Sequence, residues 1–209
     1  MNIQVPVIGI CRHRLYTDGE GVSTLVAFHG CPLRCRYCLN SQVLEHEEDS
    51  QYYDCTSLYD QVKMDELYFL ATGGGITFGG GEPCLQSQFI AGFREACGDK
   101  WLLTVETSLN VPQLHIKRLL PIVDRYIVDI KDMNPDIYRH YTGKGNGAVI
   151  RNLRLLADNG RAQDVIVRIP LIPRYNTKED QANSIEELKA MGFAHFDVFT
   201  YKTFSTQLS

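Results

Sequence analysis

This 209-residue sequence has no long apolar run and no excess of basic residues. A membrane-spanning helix needs about 18 or more apolar residues in a row, so no membrane span is expected. Lys and Arg total 21 against 25 Asp and Glu, and this balance predicts no nucleic-acid partner. The apolar stretch near the N-terminus contains Pro6 and follows no basic residue, unlike a secretory signal peptide. A cytoplasmic location is therefore expected.

The number of cysteines also argues against a disulfide framework. Seven is an odd number, and a reducing cytoplasm keeps cysteines as thiols or ligands. Three of the seven, Cys31, Cys35 and Cys38, have the spacing C-x3-C-x2-C. Cysteine thiolates bind iron–sulfur clusters, and three of them leave one iron of a four-iron cluster open to another ligand. The alternative is a zinc site completed by His29 or Cys55, although zinc ribbons usually have two C-x2-C pairs and this chain has one.

The rest of the chain alternates between strand-like and helix-like patterns. Short runs rich in β-branched and aromatic residues predict six strands, at 24–28, 75–78, 101–106, 125–130, 164–170 and 196–201. Apolar spacing and end signals predict helices between them, at 57–70, 85–97, 112–120, 148–159 and 178–191. This alternation predicts an α/β fold with parallel strands. Six units suit an open, partial barrel or a doubly wound sheet, formed as one domain over residues 1–209.

Polar and glycine-rich segments follow the predicted strands at their carboxyl ends. In parallel α/β folds these ends face one side, so residues distant in sequence converge there. The segments are the cysteines, the glycine run 79–83, Glu106 with Thr107 and Ser108, and Asp129 with Lys131.

Each of these segments has a purely structural interpretation as well. The glycine run can be a tight strand-to-helix turn. Thr107 or Ser108 can cap a helix. Asp129 and Lys131, which share one side of a strand, can form a buried ion pair.

At the cysteines the sequence resembles the radical S-adenosylmethionine (SAM) superfamily, whose fingerprint is C-x3-C-x-aromatic-C, here with Tyr37 as the aromatic residue. The resemblance implies a partial (β/α)6 barrel and a [4Fe–4S] cluster on the three cysteines. It also implies that SAM chelates the open iron and is reductively cleaved to a 5′-deoxyadenosyl radical. Tyr37 would pack beside the cluster and the adenine. Gly80, Gly81 and Glu82 resemble the family's GGEP motif, which receives the methionyl amine, with the Glu as an anion for that ammonium group.

Residues 68–78 make the resemblance more specific, to one family within the superfamily. They are similar to the run before that motif in glycyl-radical-enzyme activating enzymes, the family of pyruvate formate-lyase activating enzyme. Segments V-E-T-S, D-I-K-D-M-N and R-I-P-L-I-P resemble further motifs of these activases. They imply that Lys131 contacts the cofactor carboxylate and that Arg168 reaches into the cofactor pocket. They also imply that Glu106 and Asp129 help to bind a monovalent cation.

A segment that begins at Asp18 and Gly19 resembles the activases' D-G-P-G-I-R loop, with Glu20 in place of Pro and Ser23 in place of Arg. If this loop contacts the partner enzyme, Asp18 and Gly19 bind substrate; a plain turn is the alternative. Lys202 stands where many activases carry a His.

The expected function is therefore hydrogen abstraction from a glycine of a partner glycyl radical enzyme, with a flavodoxin or ferredoxin-type electron donor. Some activases insert a ferredoxin-like domain with further clusters, which needs more cysteines. Between Cys38 and Tyr68 the sequence has one cysteine, Cys55, so no such insertion is expected. One alternative is a radical SAM enzyme that acts on a peptide or a small molecule. Another is a zinc- or cluster-bearing binding module without catalysis.

Overall fold

The structure is a computed structural model that describes residues 3–18, 21–45 and 47–201. Over these ranges, eight strands form one sheet, and helices connect most of them. The strands are β1 (Val5–Leu15), β2 (Val22–Phe28), β3 (Gln51–Tyr53), β4 (Gly75–Gly80), β5 (Leu102–Thr107), β6 (Arg125–Asp129), β7 (Val165–Leu171) and β8 (His195–Thr200). The α-helices are α1 (Cys55–Val62), α2 (Glu66–Thr72), α3 (Ser87–Cys97), α4 (Gln113–Leu119), α5 (Pro135–Thr142), α6 (Gly147–Asp158) and α7 (Lys178–Ala190).

The sheet has the strand order β3-β1-β2-β4-β5-β6-β7-β8. From β2 to β8, every neighbouring pair is parallel, which confirms the α/β fold predicted from the alternating pattern. At one edge the sheet has two further strands that the pattern did not predict, where β1 pairs antiparallel with both β2 and β3. The sequence pattern missed these two strands because β3 is short and the second half of β1 alternates exposed with half-buried positions, with arginine and histidine among them.

The first predicted helix differs from the structure in its length and in the residue at which it begins. The single helix predicted at 57–70 is α1 and α2, separated by a 3-10 turn at Lys63–Asp65. Asp54 caps α1: its carboxylate accepts from the Ser57 N–H at 2.8 Å, and the Ser57 hydroxyl oxygen accepts from the Asp54 N–H at 3.0 Å. α5 was not predicted as a helix. No helix among the described residues is both long and apolar enough to cross a membrane.

The core between the sheet and the helices is built on stacked aromatic rings. Phe28 of β2 stacks on Phe78 of β4 with ring centroids 5.4 Å apart, and Phe93 of α3 meets Phe78 edge-on at 5.4 Å. All three side chains are fully buried. Because side chains alternate along a strand, this packing turns Ala27 and Gly79 to the opposite face of the sheet. That face lines the functional cavity.

Replacing Phe78 with alanine is expected to lower the free energy of unfolding by about 3–5 kcal/mol, because it leaves a cavity between two further aromatic rings. Anaerobic urea unfolding of the purified protein measures this change. Leu67→Ala is the matched control, since Leu67 is 76% exposed on α2 and its loss should cost within about 0.5 kcal/mol. Equal effects of the two substitutions would contradict the assignment of Phe78 to the centre of the core.

Candidate active site

A cavity of about 530 Å³ opens at the carboxyl ends of the parallel strands. Residues predicted from five separate segments of the sequence line it together. They are Cys31, Cys35, Cys38, Gly80, Gly81, Glu106, Asp129, Lys131 and Arg168. The convergence follows from the parallel sheet, which brings the ends of β2, β4, β5, β6 and β7 to one mouth.

The cysteine loop, residues 30–38, follows β2 and crosses to the far side of the mouth. There its backbone N–H groups at Arg34 and Arg36 donate to the carbonyls of Thr142 and Tyr141, at 2.9 and 3.1 Å. These carbonyls belong to the last turn of α5, where a helix leaves carbonyl groups without intrahelical partners. Leu33, only 2% exposed, anchors the loop in the core. The loop therefore has a fixed course before any ligand binds.

The three thiols of the loop fit a four-iron cluster. They are half-buried, form no disulfide and line one cavity. Burial raises the pKa of Cys31 to about 12 and that of Cys35 to about 11, so both are protonated at neutral pH unless a cationic metal centre displaces the proton. Within the described residues, no three His, Cys, Asp or Glu side chains lie close enough to hold a single metal ion. A cubane instead takes each thiolate on a separate iron.

The glycine run and the cysteine loop are joined through their backbones. The N–H of Glu82 donates to the carbonyl of Gly30 at 2.8 Å, and the N–H of Gly81 donates to the carbonyl of Phe28 at 2.9 Å. A Cβ added at Gly81 would lie 2.1 Å from the Gly30 carbonyl oxygen, so only glycine permits this approach. The backbone of Gly80 and Gly81 thereby faces the cavity beside the thiols.

The prediction that the Glu82 carboxylate receives an ammonium group needs correction. Glu82 is 1% exposed, and its two oxygens accept hydrogen bonds from the hydroxyls of Thr107 and Ser108, both at 2.6 Å, and from the N–H groups of Ser108 and Cys84. A carboxylate offers about four acceptor positions, and all of them are used. Glu82 therefore fixes the glycine run to the end of β5 and leaves the cavity surface to backbone groups.

Two ion pairs form the opposite wall of the cavity. Lys131 donates to Asp129, as the structural interpretation of this pair predicted, yet both side chains also line the cavity. Burial acts to lower the pKa of Lys131, but the acidic groups around it, Asp129 first among them, more than offset this effect and raise the pKa. Arg168 donates to Glu106 at 2.6 Å. Burial raises the pKa of Glu106, and Arg168 reverses only part of that shift.

One oxygen of Asp129, Oδ1, is buried without a hydrogen-bond partner in the part of the chain that the structure describes. Such an oxygen carries a desolvation cost that a bound cation or ligand donor would relieve. Asp129 and Glu106 lie on neighbouring strands, β6 and β5, and both line the cavity. These two carboxylates are the residues suited to hold a cation.

A cluster of tyrosines surrounds Tyr37, and sequence reasoning missed it. The rings of Tyr141, Tyr175 and Tyr201 lie 6.2, 5.6 and 6.4 Å from the Tyr37 ring, and the Tyr201 hydroxyl donates to the Tyr37 carbonyl. These residues come from α5, the segment after β7 and the end of β8. The tyrosines follow three different strands at different distances, so the sequence carries no common signal and only the topology shows that they meet.

The predicted substrate-binding pair is only partly visible. Gly19, like Glu20 and Lys202, lies outside the described residues. Asp18 is 4% exposed, and its carboxylate accepts from Arg14 and from the Ser23 hydroxyl. The expectation that Asp18 itself faces the substrate is therefore not met; Arg14, which it holds, lines the cavity instead.

The Radical SAM superfamily model matches residues 25–196 of this chain. The match covers most of the sequence, including the cysteine loop, the glycine run and the paired acids. The chain therefore belongs to the radical SAM superfamily, whose members bind a [4Fe–4S] cluster and SAM.

Within that superfamily, the similar curated proteins are activating enzymes of glycyl radical enzymes. The isethionate sulfite-lyase activating enzyme of Desulfovibrio desulfuricans is 32% identical, over 91% of this chain and 81% of the relative. The (2S)-3-sulfopropanediol dehydratase activating enzyme of Klebsiella oxytoca is 29% identical, over 79% of this chain and 70% of the relative. The fold is similar to SuiB of Streptococcus suis, with a TM-score of 0.65 and 13% identity over 87% of this chain and 40% of SuiB.

Gly81→Ala is expected to abolish stable cluster binding, because the new methyl group would push the Gly30 carbonyl and the cysteine loop away from the glycine run. Iron and sulfide content after anaerobic reconstitution measures the effect. Gly79→Ala is the matched control in the same run: its Cβ would meet the flexible end of Leu25 at 3.0 Å and make ordinary contacts with the Glu106 side chain at 3.5 Å, with no backbone in its way. If Gly81→Ala retained the iron content of the unaltered protein, the backbone junction would not be essential.

Proposed function

We propose that this chain activates a glycyl radical enzyme by abstracting a hydrogen atom from a glycine of that partner. The observation that carries the proposal is the convergence of three free thiols, the glycine run and two ion pairs on one cavity. The relatives named as activating enzymes support it. When bound, the reduced cluster and SAM supply the 5′-deoxyadenosyl radical that removes the hydrogen atom.

The residues of this chain hold and orient these groups. Cys31, Cys35 and Cys38 are the cluster ligands, and the backbone of Gly80 and Gly81 receives the cofactor amine. Lys131 lies where it can neutralise a carboxylate, because its ammonium group is buried and charged beside the cavity.

Further parts of the proposal concern the surroundings of the site. Glu106 and Asp129 would hold a monovalent cation, with the unpartnered Asp129 oxygen as one ligand. A flavodoxin or ferredoxin-type protein would deliver the electron. Tyr37 would pack beside the cluster and the adenine. The chain would work as one domain in the cytoplasm.

A second candidate is a radical SAM enzyme that acts on a peptide or a small molecule. The observations that favour it are the departures of the sequence from the activases' pattern at Glu20, Ser23 and Lys202. The two candidates share the cluster and cofactor and differ only in the source of the hydrogen atom.

Cys35→Ala is expected to remove the [4Fe–4S]⁺ electron paramagnetic resonance signal of the anaerobically reconstituted, reduced protein. In the unaltered protein, the signal should change when SAM is added. Cys55→Ala is the matched control, since Cys55 is a half-buried thiol outside the cavity and should leave the signal intact. Stoichiometric zinc with no cluster signal would instead support the binding-module alternative.

Deuterium from a partner enzyme with labelled glycine is expected to appear in 5′-deoxyadenosine. The partners to test are isethionate sulfite-lyase, sulfopropanediol dehydratase and pyruvate formate-lyase, each with SAM and reductant. Mass spectrometry of the nucleoside measures the transfer. Cofactor cleavage with no deuterium from any of the three would favour the peptide or small-molecule candidate.

A further inference from the structure

Two arginines of β1, Arg12 and Arg14, point to opposite sides of the sheet. Residues two apart on a regular strand share a face. Here Arg12 donates to the buried Asp65 at 2.6 Å on the helix side, whereas Arg14 lines the cavity. The cause is a β-bulge, in which Arg12 and His13 together oppose Thr24 of β2. Bulges of this kind re-aim side chains and occur beside active sites.

The bulge holds strain that the surrounding structure maintains. His13 has a φ of 55°, a left-handed conformation that a residue with a Cβ rarely adopts. The buried Asp65 holds it from the helix side, where its carboxylate contacts Arg12, His13 and Thr24 at 2.6, 3.2 and 2.8 Å. Strain of this kind persists where neighbours over-determine the backbone, and it clusters at functional sites. The outcome of this strain is the placement of Arg14 in the cavity.

The Arg14 guanidinium is held in place by hydrogen bonds that use only some of its N–H donors. Its Nε and Nη2 donate to the two oxygens of Asp18 at 3.0 and 2.8 Å, and the Asp18 side chain is 1% exposed. The Ser23 hydroxyl donates to the same carboxylate at 2.7 Å. A guanidinium has five N–H donors, and this fork uses two. Among the described residues, no group other than Asp18 accepts a hydrogen bond from Arg14, so its Nη1 has no acceptor in this part of the chain, and the residue itself lines the cavity.

The charges of the cavity indicate what kind of acceptor Arg14 takes. Lys131 is paired with Asp129, Arg168 with Glu106 and Asp197, and Arg14 with Asp18. Each of these cations thus has its own acid, and with Lys131 assigned to the cofactor carboxylate the wall has no further positive charge for an anionic substrate. A guanidinium already paired with a carboxylate suits a neutral oxygen acceptor, and a peptide carbonyl is the neutral acceptor that a protein substrate presents.

We propose that Arg14 is a substrate-binding residue that donates to a backbone carbonyl oxygen of the partner's glycine loop and so positions this loop in the cavity. The inference rests on the proposed function. Arg14 lies directly opposite Ser23 in the β1–β2 ladder, and Ser23 occupies the position of the arginine in the activases' loop. The guanidinium thus comes from the neighbouring strand at the same level of the sheet.

The test measures the affinity of the reconstituted, SAM-bound protein for each immobilised partner, isethionate sulfite-lyase, sulfopropanediol dehydratase or pyruvate formate-lyase, without reductant, so that no turnover occurs. Arg14→Gln is expected to weaken binding about 10- to 100-fold, as loss of a hydrogen bond from a charged donor predicts. Arg14→Lys should weaken it less, because the charge stays but the planar fork is lost. Moving the guanidinium across the ladder, with Arg14→Ser and Ser23→Arg together, should restore most of the affinity.

Arg161→Gln is the matched control, because it removes a guanidinium that pairs with a carboxylate, Asp164 at 2.6 Å, outside both the cavity and the bulge that aims Arg14. It should lower the melting temperature as Arg14→Gln does and leave partner affinity unchanged. Iron content and SAM affinity report on folding of each variant.

Partner affinity that falls equally for Arg161→Gln and Arg14→Gln, or that is unchanged in Arg14→Gln and Arg14→Lys, would overturn the inference and leave the proposed function standing. If the unaltered protein bound none of the three partners and released no deuterium from them, the proposed function would fail, and the inference with it.

Discussion

The site depends on one close approach of two backbones, where the glycine run after β4 lies against the start of the cysteine loop after β2. The hydrogen bond from the Glu82 N–H to the Gly30 carbonyl, at 2.8 Å, closes this junction. Because Gly81 has no side chain, the distance between the two loops is set by backbone atoms alone. The distance between the thiols and the backbone groups that face them is therefore constant. A cluster and its cofactor both require this.

Much of this architecture follows from local patterns. The β-branched runs of β4 to β8 are bounded by turns and alternate with helical segments, so the parallel sheet could be predicted from the sequence. Once the sheet is parallel, the cysteines, Glu106, Asp129 and Arg168 must meet at one edge. Their convergence needs no knowledge of side-chain geometry, and for this reason it was predictable residue by residue.

The features that escaped prediction depend on competition between side chains. Which carboxylate faces the cavity was not predictable, because Glu82 and Asp18 each found donors within the protein first. The antiparallel strand β1 was missed because its bulge places charged side chains, Arg12 and Arg14, on both faces of the sheet, so its second half has no apolar face to mark it. The tyrosines around Tyr37 come from segments that only the finished sheet brings together.

That tyrosine cluster has a consequence for biosynthesis. The cysteine segment leaves the ribosome early, whereas Tyr141, Tyr175 and Tyr201, which pack around it, are made progressively later. Chains fold as units from the N-terminus as they emerge, but this loop finds its last hydrogen-bond donor only at the end of β8. We therefore expect the cluster to enter the completed pocket after translation. A nascent chain that acquired iron earlier would hold it in a loop that Tyr201 has not yet closed.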